Sequence, residues 1–217
     1  MASSRVDPHY LVAFAAVCPN IFVLLDTRHV ISISSVTPIR GEITEIIGGT
    51  SSGRTSHLLT CLRDVVSRGE TAALVDTEET FDPRSAARAG LDLRRLLWVR
   101  CRGHRDVALR AADMLVRCPG FALVALDLGE RMPRLPPTLA FRLKFAVRRT
   151  DVALLIVGRR RLTGSSAALA IETLREKIEW VGPGPAATRL ARVRTTTRVL
   201  RSRRAAPGWP PSLWWSA

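Results

Sequence analysis

The chain has 217 residues, 47% of them hydrophobic, which suits one α/β domain with a sizeable core. Its net charge of +14 and isoelectric point near 11.4 point to a polyanionic partner, nucleic acid first. Lysine occurs only at 144 and 177, so the excess of arginine also fits genome composition or a solvated surface. No apolar run approaches the length of a transmembrane helix, and the start of the chain lacks a signal-peptide pattern, because Leu11–Val17 is short and follows Asp7 and His9. Cys18, Cys61, Cys101 and Cys118 are scattered without a C-x-x-C, as expected of reduced core thiols in a cytoplasmic protein rather than metal ligands.

Residues 1–40 read as an irregular N-terminal extension, with Asp7-Pro8 suited to open a short helix through Val17 and Asn20–Leu25 strand-like. From residue 41 a strand–helix rhythm predicts a mostly parallel central sheet flanked by helices. Ile43–Ile47 is the first expected strand, and the following helix carries Leu58, Leu62, Val65 and Val66 on one face. Thr71–Val75 is a strand ending in Asp76. Asp82-Pro83 caps a short helix to Ala89. Leu96–Val99 is a strand and 105–118 an amphipathic helix. Phe121–Leu126 is an apolar strand ending in Asp127. Pro137–Arg148 is a helix with Leu139, Leu143, Ala146 and Val147 inward, and Val152–Val157 is a buried strand. Leu169–Val181 and Leu190–Leu200 are expected as antiparallel additions to the sheet. In the second, Arg192, Arg194 and Arg198 alternate with Ala191, Val193, Thr195, Thr197 and Val199, which predicts one arginine-rich face.

The segment from Gly41 to Ser56 combines a buried strand, a glycine-rich turn and a helix start. That is the setting of a phosphate-binding P-loop, with Gly48, Gly53 and Thr55 at the spacing of G-x-x-x-x-G-K-[ST]. Backbone N–H groups and the helix N-terminus would form an anion nest, and Thr55 could ligate Mg²⁺. Position 54 holds Arg54 instead of the lysine that reaches the β- and γ-phosphates. Arginine keeps the charge but is planar and bulkier, which weighs against turnover. The alternative is a glycine turn kept for strand–helix packing. Two strand-terminal acidic groups follow in order. Glu78, in Asp76-Thr77-Glu78-Glu79, could orient an attacking water or merely belong to a solvated acidic loop. Asp127 could touch Mg²⁺ through water.

These motifs together resemble the RecA ATPase core. The resemblance rests on Gly-Gly-Thr-Ser-Ser-Gly-Arg-Thr, on Ala-Leu-Val-Asp-Thr-Glu-Glu-Thr-Phe-Asp-Pro and on Ala-Gly-Leu-Asp-Leu-Arg-Arg-Leu-Leu. It extends through Asp127 and Val152–Val157 to Val199–Pro207. It implies a RecA-like P-loop core over 41–206 and a Pro/Trp-rich tail over 207–217. The departures are Arg54, Gly158-Arg159 where a polar γ-phosphate sensor is expected, and two DNA-binding loops shortened to Glu130–Pro136 and Arg159–Ser166; RecA's C-terminal domain is expected to be absent. They count against filament formation, ATP switching and strand exchange.

A small RecA-like chain with such a site is similar to the ImuA family, accessory proteins of bacterial SOS mutagenesis. The resemblance implies RecA and ImuB as partners, an error-prone DNA polymerase reached through ImuB, and a cytoplasmic, nucleoid-associated location. It implies no required cofactor, ATP with Mg²⁺ being what the loop would take if it takes a ligand. A cell-division inhibitor similar to SulA and a slow DNA-stimulated ATPase with Glu78 as base are the alternatives.

Contacts to DNA or a partner are expected from the loop arginines Arg159, Arg160 and Arg161. They are also expected from Arg192, Arg194, Arg198, Arg201, Arg203 and Arg204, a run with no acidic residue between 189 and 204. Trp209, Trp214 and Trp215 follow among prolines, a composition of interface anchors or base-stacking groups, or of a strand packed on the protein's own core.

Overall fold

The computed structural model describes residues 37–131, 135–182 and 189–203, and the backbone of 213–216. The elements expected before residue 37, together with Cys18, Arg204 and Trp209, lie outside the described residues, as do the side chains of Arg192, Trp214 and Trp215.

Strand β1 (Ile43–Gly48) leads into helix α1 (Arg54–Ser67), then β2 (Thr71–Asp76), α2 (Pro83–Arg88), β3 (Leu96–Arg100), α3 (Arg105–Leu115) and β4 (Phe121–Asp127). Helix α4 (Pro137–Thr150), β5 (Ala153–Gly158), β6 (Leu169–Val181), β7 (Arg189–Ser202) and β8 (Leu213–Ser216) follow. All eight strands form one sheet in the order β3-β2-β4-β5-β1-β6-β7-β8. Strands β1 to β6 are mutually parallel where they pair, while β7 and β8 are antiparallel additions.

Period-2 alternation divides the core. Ile43, Val75, Val124, Leu126, Leu154 and Ile156 face α3 and α4. Ile46, Leu74, Leu123, Leu155 and Val157 face α1 and α2, where Leu58, Leu62, Val65 and Val66 are buried as their spacing predicts. The Asp82 carboxylate caps α2 by accepting the N–H groups of Arg84 at 3.1 Å and Ser85 at 3.2 Å. In α4 the inward face is Ala140, Leu143, Ala146 and Val147, with Leu139 only partly covered.

One expectation fails. Strand β6 runs parallel to β1, with Thr44 opposite Leu169 and Gly48 opposite Thr173, and is not an antiparallel addition. The cause is in the connection from β5. Residues 159–168 return the chain to the start of the sheet, as a parallel connection must. Glu45, buried in the middle of β1, holds that connection by accepting the Leu162 N–H at 2.7 Å and the Thr163 N–H at 2.9 Å. Ala168 N–H then donates to the Ile43 carbonyl at 2.9 Å, which sets the β6 register.

Candidate functional site

The glycine turn after β1 is built by close approach as well as by conformation. A Cβ at Gly48 would lie 2.6 Å from the Thr173 carbonyl oxygen. Gly53, the N-cap of α1, has φ 97°, and a Cβ there would lie 3.3 Å from Thr195 Cγ2. The Ser52 and Thr173 hydroxyls are 2.8 Å apart, and Thr173 Oγ1 donates to the Ile47 carbonyl at 3.1 Å. Strands β6 and β7 therefore buttress the loop through two threonines. Helix α1 has no side-chain cap, and Thr55 in its first turn is exposed.

A carboxylate from the loop after β4 closes over this turn. Glu130 forms an ion pair with Arg54, accepts the Thr50 hydroxyl at 3.2 Å and lies 3.5 Å from Arg159 Nε. Arg54 also donates to the Gly129 carbonyl at 3.4 Å, and its side chain is only 10% exposed. The P-loop cation, a P-loop hydroxyl and the arginine after β5 thus converge on one internal anion.

The other acidic groups are likewise engaged by the protein. Glu78 accepts the Glu130 N–H at 3.1 Å and the Arg131 N–H at 3.4 Å. Gly129 allows this: its φ is 64°, and any Cβ there would collide with the Glu78 carboxylate. Asp127 accepts the Gly129 N–H at 2.9 Å. Burial pushes the Asp127 carboxyl up to about 6; the Gly129 bond and the Arg54 charge oppose that rise, while Asp76 and Glu78 add to it. Asp76, opposite Asp127 on the neighbouring strand, accepts the N–H groups of Thr80 at 3.2 Å and Phe81 at 3.0 Å and the Trp98 indole N–H at 3.3 Å. In this arrangement Glu130 takes up the Arg54 fork and the Thr50 hydroxyl, so neither is left to a phosphoryl group.

The structure brings Gly48, Gly53, Arg54, Glu78, Asp127 and Arg159 together, with Thr55 at the rim, and sets the other expected residues apart. Arg160 is exposed in the loop after β5, while Arg161 Nε lies 3.6 Å from Glu45 and its guanidinium donates to the Gly164 carbonyl at 2.5 Å. In β7 the arginines divide. Arg194 pairs with Glu176 at 2.8 Å and Arg198 with Glu172, both acids from β6. Arg201 donates to the Ala167 carbonyl at 2.9 Å, and Arg203 to those of Ser165 at 2.7 Å and Ser166 at 3.4 Å.

From Arg192 to Val199 strand β7 has no bulge of its own, so Arg194 and Arg198 share one face with Thr196, as the alternation predicts, while Thr195 and Thr197 take the other; all three threonines are buried. The bulges of the β6–β7 ladder fall between Ala170 and Ile171, Arg175 and Lys177, and Glu179 and Trp180, at the ends of that stretch or on the β6 side of it. The backbone of Arg192 pairs with Glu179 in that ladder. Trp214 and Trp215 lie on β8, opposite Arg194 and Val193, so this part of the tail adds a strand to the sheet. Sequence patterns did not expose Glu130, Glu45, Thr173 or Thr195. The one usable signal was the longer reach of arginine at 54, which calls for an acid nearby.

Residues 27–136, more than half of the chain, match the RecA N-terminal domain family. The chain belongs to that family. It is 34% identical over 145 residues to Protein RecA of Chlorobaculum tepidum, covering 64% of this chain and 41% of that protein. It is 39% identical over 88 residues to Protein RecA of Acinetobacter baylyi, covering 41% of this chain and 25% of that one. The chain thus spans less than half the length of these relatives. Its fold is similar to the crystal structure of the RadB recombinase, with a TM-score of 0.58 over 82% of this chain and 87% of that one at 16% identity. The RecA-family core therefore carries a P-loop whose cation is bound to an internal carboxylate.

Proposed function

We propose that this RecA-family domain is a non-catalytic adaptor of bacterial SOS mutagenesis, similar to ImuA, that binds RecA or ImuB and, through ImuB, serves an error-prone polymerase. The observation that carries this reading is the Glu130 carboxylate held by Arg54, Thr50 and Arg159. A P-loop that works on nucleotide needs those donors for phosphate, and Glu78 is held by two loop amides where a water-orienting base would need a free oxygen. The retained RecA-family sheet then supplies a rigid surface for protein contacts, with DNA as a further partner of the basic residues.

Titration of fluorescent ATP and ADP with Mg²⁺ into the wild type and Arg54→Lys tests it. No binding by the wild type at micromolar concentrations supports the adaptor. Binding with hydrolysis stimulated by single-stranded DNA and abolished by Glu78→Gln would replace it with the slow-ATPase reading, which the exposed Thr55 hydroxyl and Asp127 favour. Partner binding is tested by co-purification with RecA and ImuB. Trp214→Ala/Trp215→Ala is the better tail variant, since truncation before β7 would remove the strand that backs Gly53.

A further inference from the structure

Helix α4 leaves an unusual face to solvent. Phe141 is 46% and Phe145 65% exposed, while Leu143, Ala146 and Val147 bury the opposite side. Four residues apart, the two rings are neighbours about 6 Å apart along the helix axis. At about 100° per residue, Lys144 and Arg148 lie along one side of this apolar seam and Arg142 and Arg149 along the other.

The cations are accompanied by few acids. Arg142 pairs with Asp113 at 3.1 Å yet stays 58% exposed. Arg201 and Arg203 add to the positive field at Lys144, and their described bonds are to carbonyl oxygens, which fix a guanidinium without cancelling its charge. The Lys144 ammonium is held below the usual lysine range by burial and by the charges of Arg203, Arg148 and Arg201, with Glu42 opposing. This places those arginines within electrostatic reach of it.

We infer that the Phe141–Phe145 face of α4 is a docking site for an acidic amphipathic helix of a partner protein. An apolar seam with like-charged rows on both sides calls for a facing seam with opposite charge on both sides, the pairing logic of a two-helix interface. Phenylalanine and arginine are also the residues enriched where protein interfaces concentrate their affinity. A single-stranded nucleic acid would need one row for its phosphates and leave the Arg142–Arg149 row unanswered. A second copy would bring its own +14 charge. Residues 1–36 carry Asp7 and Asp26 against Arg5 and Arg28, and so supply no acidic row. The inference goes beyond the adaptor reading and stands apart from the P-loop, because it holds whether or not nucleotide binds.

The probe is a fluorescent synthetic helix about three heptads long with leucine at a and d and glutamate at e and g. Its counterpart with lysine at e and g and a labelled oligothymidylate are titrated in parallel into the full chain. The acidic helix is expected to bind at least tenfold more tightly than the lysine helix. Phe141→Ala/Phe145→Ala should weaken it at least tenfold while lowering the thermal midpoint by only a few degrees, because Phe145 is largely and Phe141 about half exposed. Arg142→Glu/Arg149→Glu should cut the preference for the acidic helix at least tenfold, because one of the two cationic rows is then acidic, whereas Arg160→Glu, away from α4, should not. Acidic-helix binding that ignores both phenylalanines reports bulk charge alone and overturns the site, as does the absence of binding. Phenylalanine-dependent binding of the oligothymidylate tighter than that of the acidic helix overturns the protein partner in favour of nucleic acid.

Discussion

Two corners of this domain use charge in opposite ways. At the P-loop corner Arg54, Arg159 and Arg161 each face a carboxylate, Glu130 or Glu45, and the acids Glu78, Asp127 and Asp76 are bonded to backbone or indole N–H groups. At the corner between α4 and the end of β7, the charges of Arg148, Arg201 and Arg203 act on Lys144 with Glu42 opposing them, and Asp151 at the C-terminus of α4 is the other acid beside Arg148. The net charge of +14 is therefore a poor guide to where an external anion would be attracted. What matters is whether a cation's partner is a carboxylate or a carbonyl. The first corner is internally neutralised and rigid, and the second projects its field outward.

The largest effect that would break this contrast is expected at Glu45. Glu45→Ala removes the shared acceptor of two amides and the acid facing Arg161, in a fully buried position. It should cost about 3–5 kcal/mol in urea unfolding, with Glu45→Gln nearer about 1–2. A loss below ~1 kcal/mol for Glu45→Ala would mean that the connection after β5 is held by something else.

Asp127 comes next. Its folded pKa of about 6 lies above the ordinary carboxylate value, so the folded state keeps the proton longer. The stability it contributes falls as pH rises from about 4 to about 6. Asp127→Asn removes that loss. Its advantage over the wild type should open across this window, reach roughly 2–3 kcal/mol and stay flat above it. His57, pushed down to about 4 by burial, is present in both proteins and drops out of the difference. An advantage that does not change with pH would show that Asp127 titrates normally.

Glu130→Ala should turn the first corner into a likeness of the second by freeing Arg54 and Thr50. Affinity for Mg²⁺-ATP or tripolyphosphate is expected to rise at least tenfold, about 1.4 kcal/mol, read by calorimetric titration. Equal affinities would show that the carboxylate does not hold the phosphate position.

The smallest effects separate the two halves of β7. Arg201→Ala/Arg203→Ala should lower the salt concentration for elution from heparin. Arg194→Ala/Arg198→Ala should lower it less, because those charges already face Glu176 and Glu172. Arg198→Ala should change stability by under ~1 kcal/mol, since its side chain is half exposed.

Much of the fold was legible because its signals are local. Short, nearly continuous apolar runs marked β1, β2, β4 and β5, and the spacing of Leu58, Leu62, Val65 and Val66 marked α1. The direction of β6 was not legible, because it depends on Glu45, which in an apolar strand looks like any outward-facing residue until Leu162 and Thr163 are seen to bond it. The candidate site was half legible. Gly48, Gly53, Arg54, Thr55, Glu78 and Asp127 lie in order along the chain, but the Arg54–Glu130 pair joins residues 76 positions apart with no pattern to announce it. The alternation along β7 was legible from Arg192 to Val199, but the one-residue bulges at its ends and in β6 were not, because propensity does not encode where they fall.

Strand β6 outruns its neighbour in the sheet. Its pairing with β1 ends at Thr173, while its pairing with β7 continues to Val181. Beyond Thr173 it is held on the β7 side by a ribbon, to which β8 adds pairing only along Arg192–Thr195, and narrow ribbons are marginal. In the language of time, backbone amides along this one strand should form a clock. Those at Ala170–Thr173 should surrender their hydrogens to heavy water only when the whole domain opens, and those near Trp180 many times sooner, with the bulge between Arg175 and Lys177 marking where the slow hands give way to the fast.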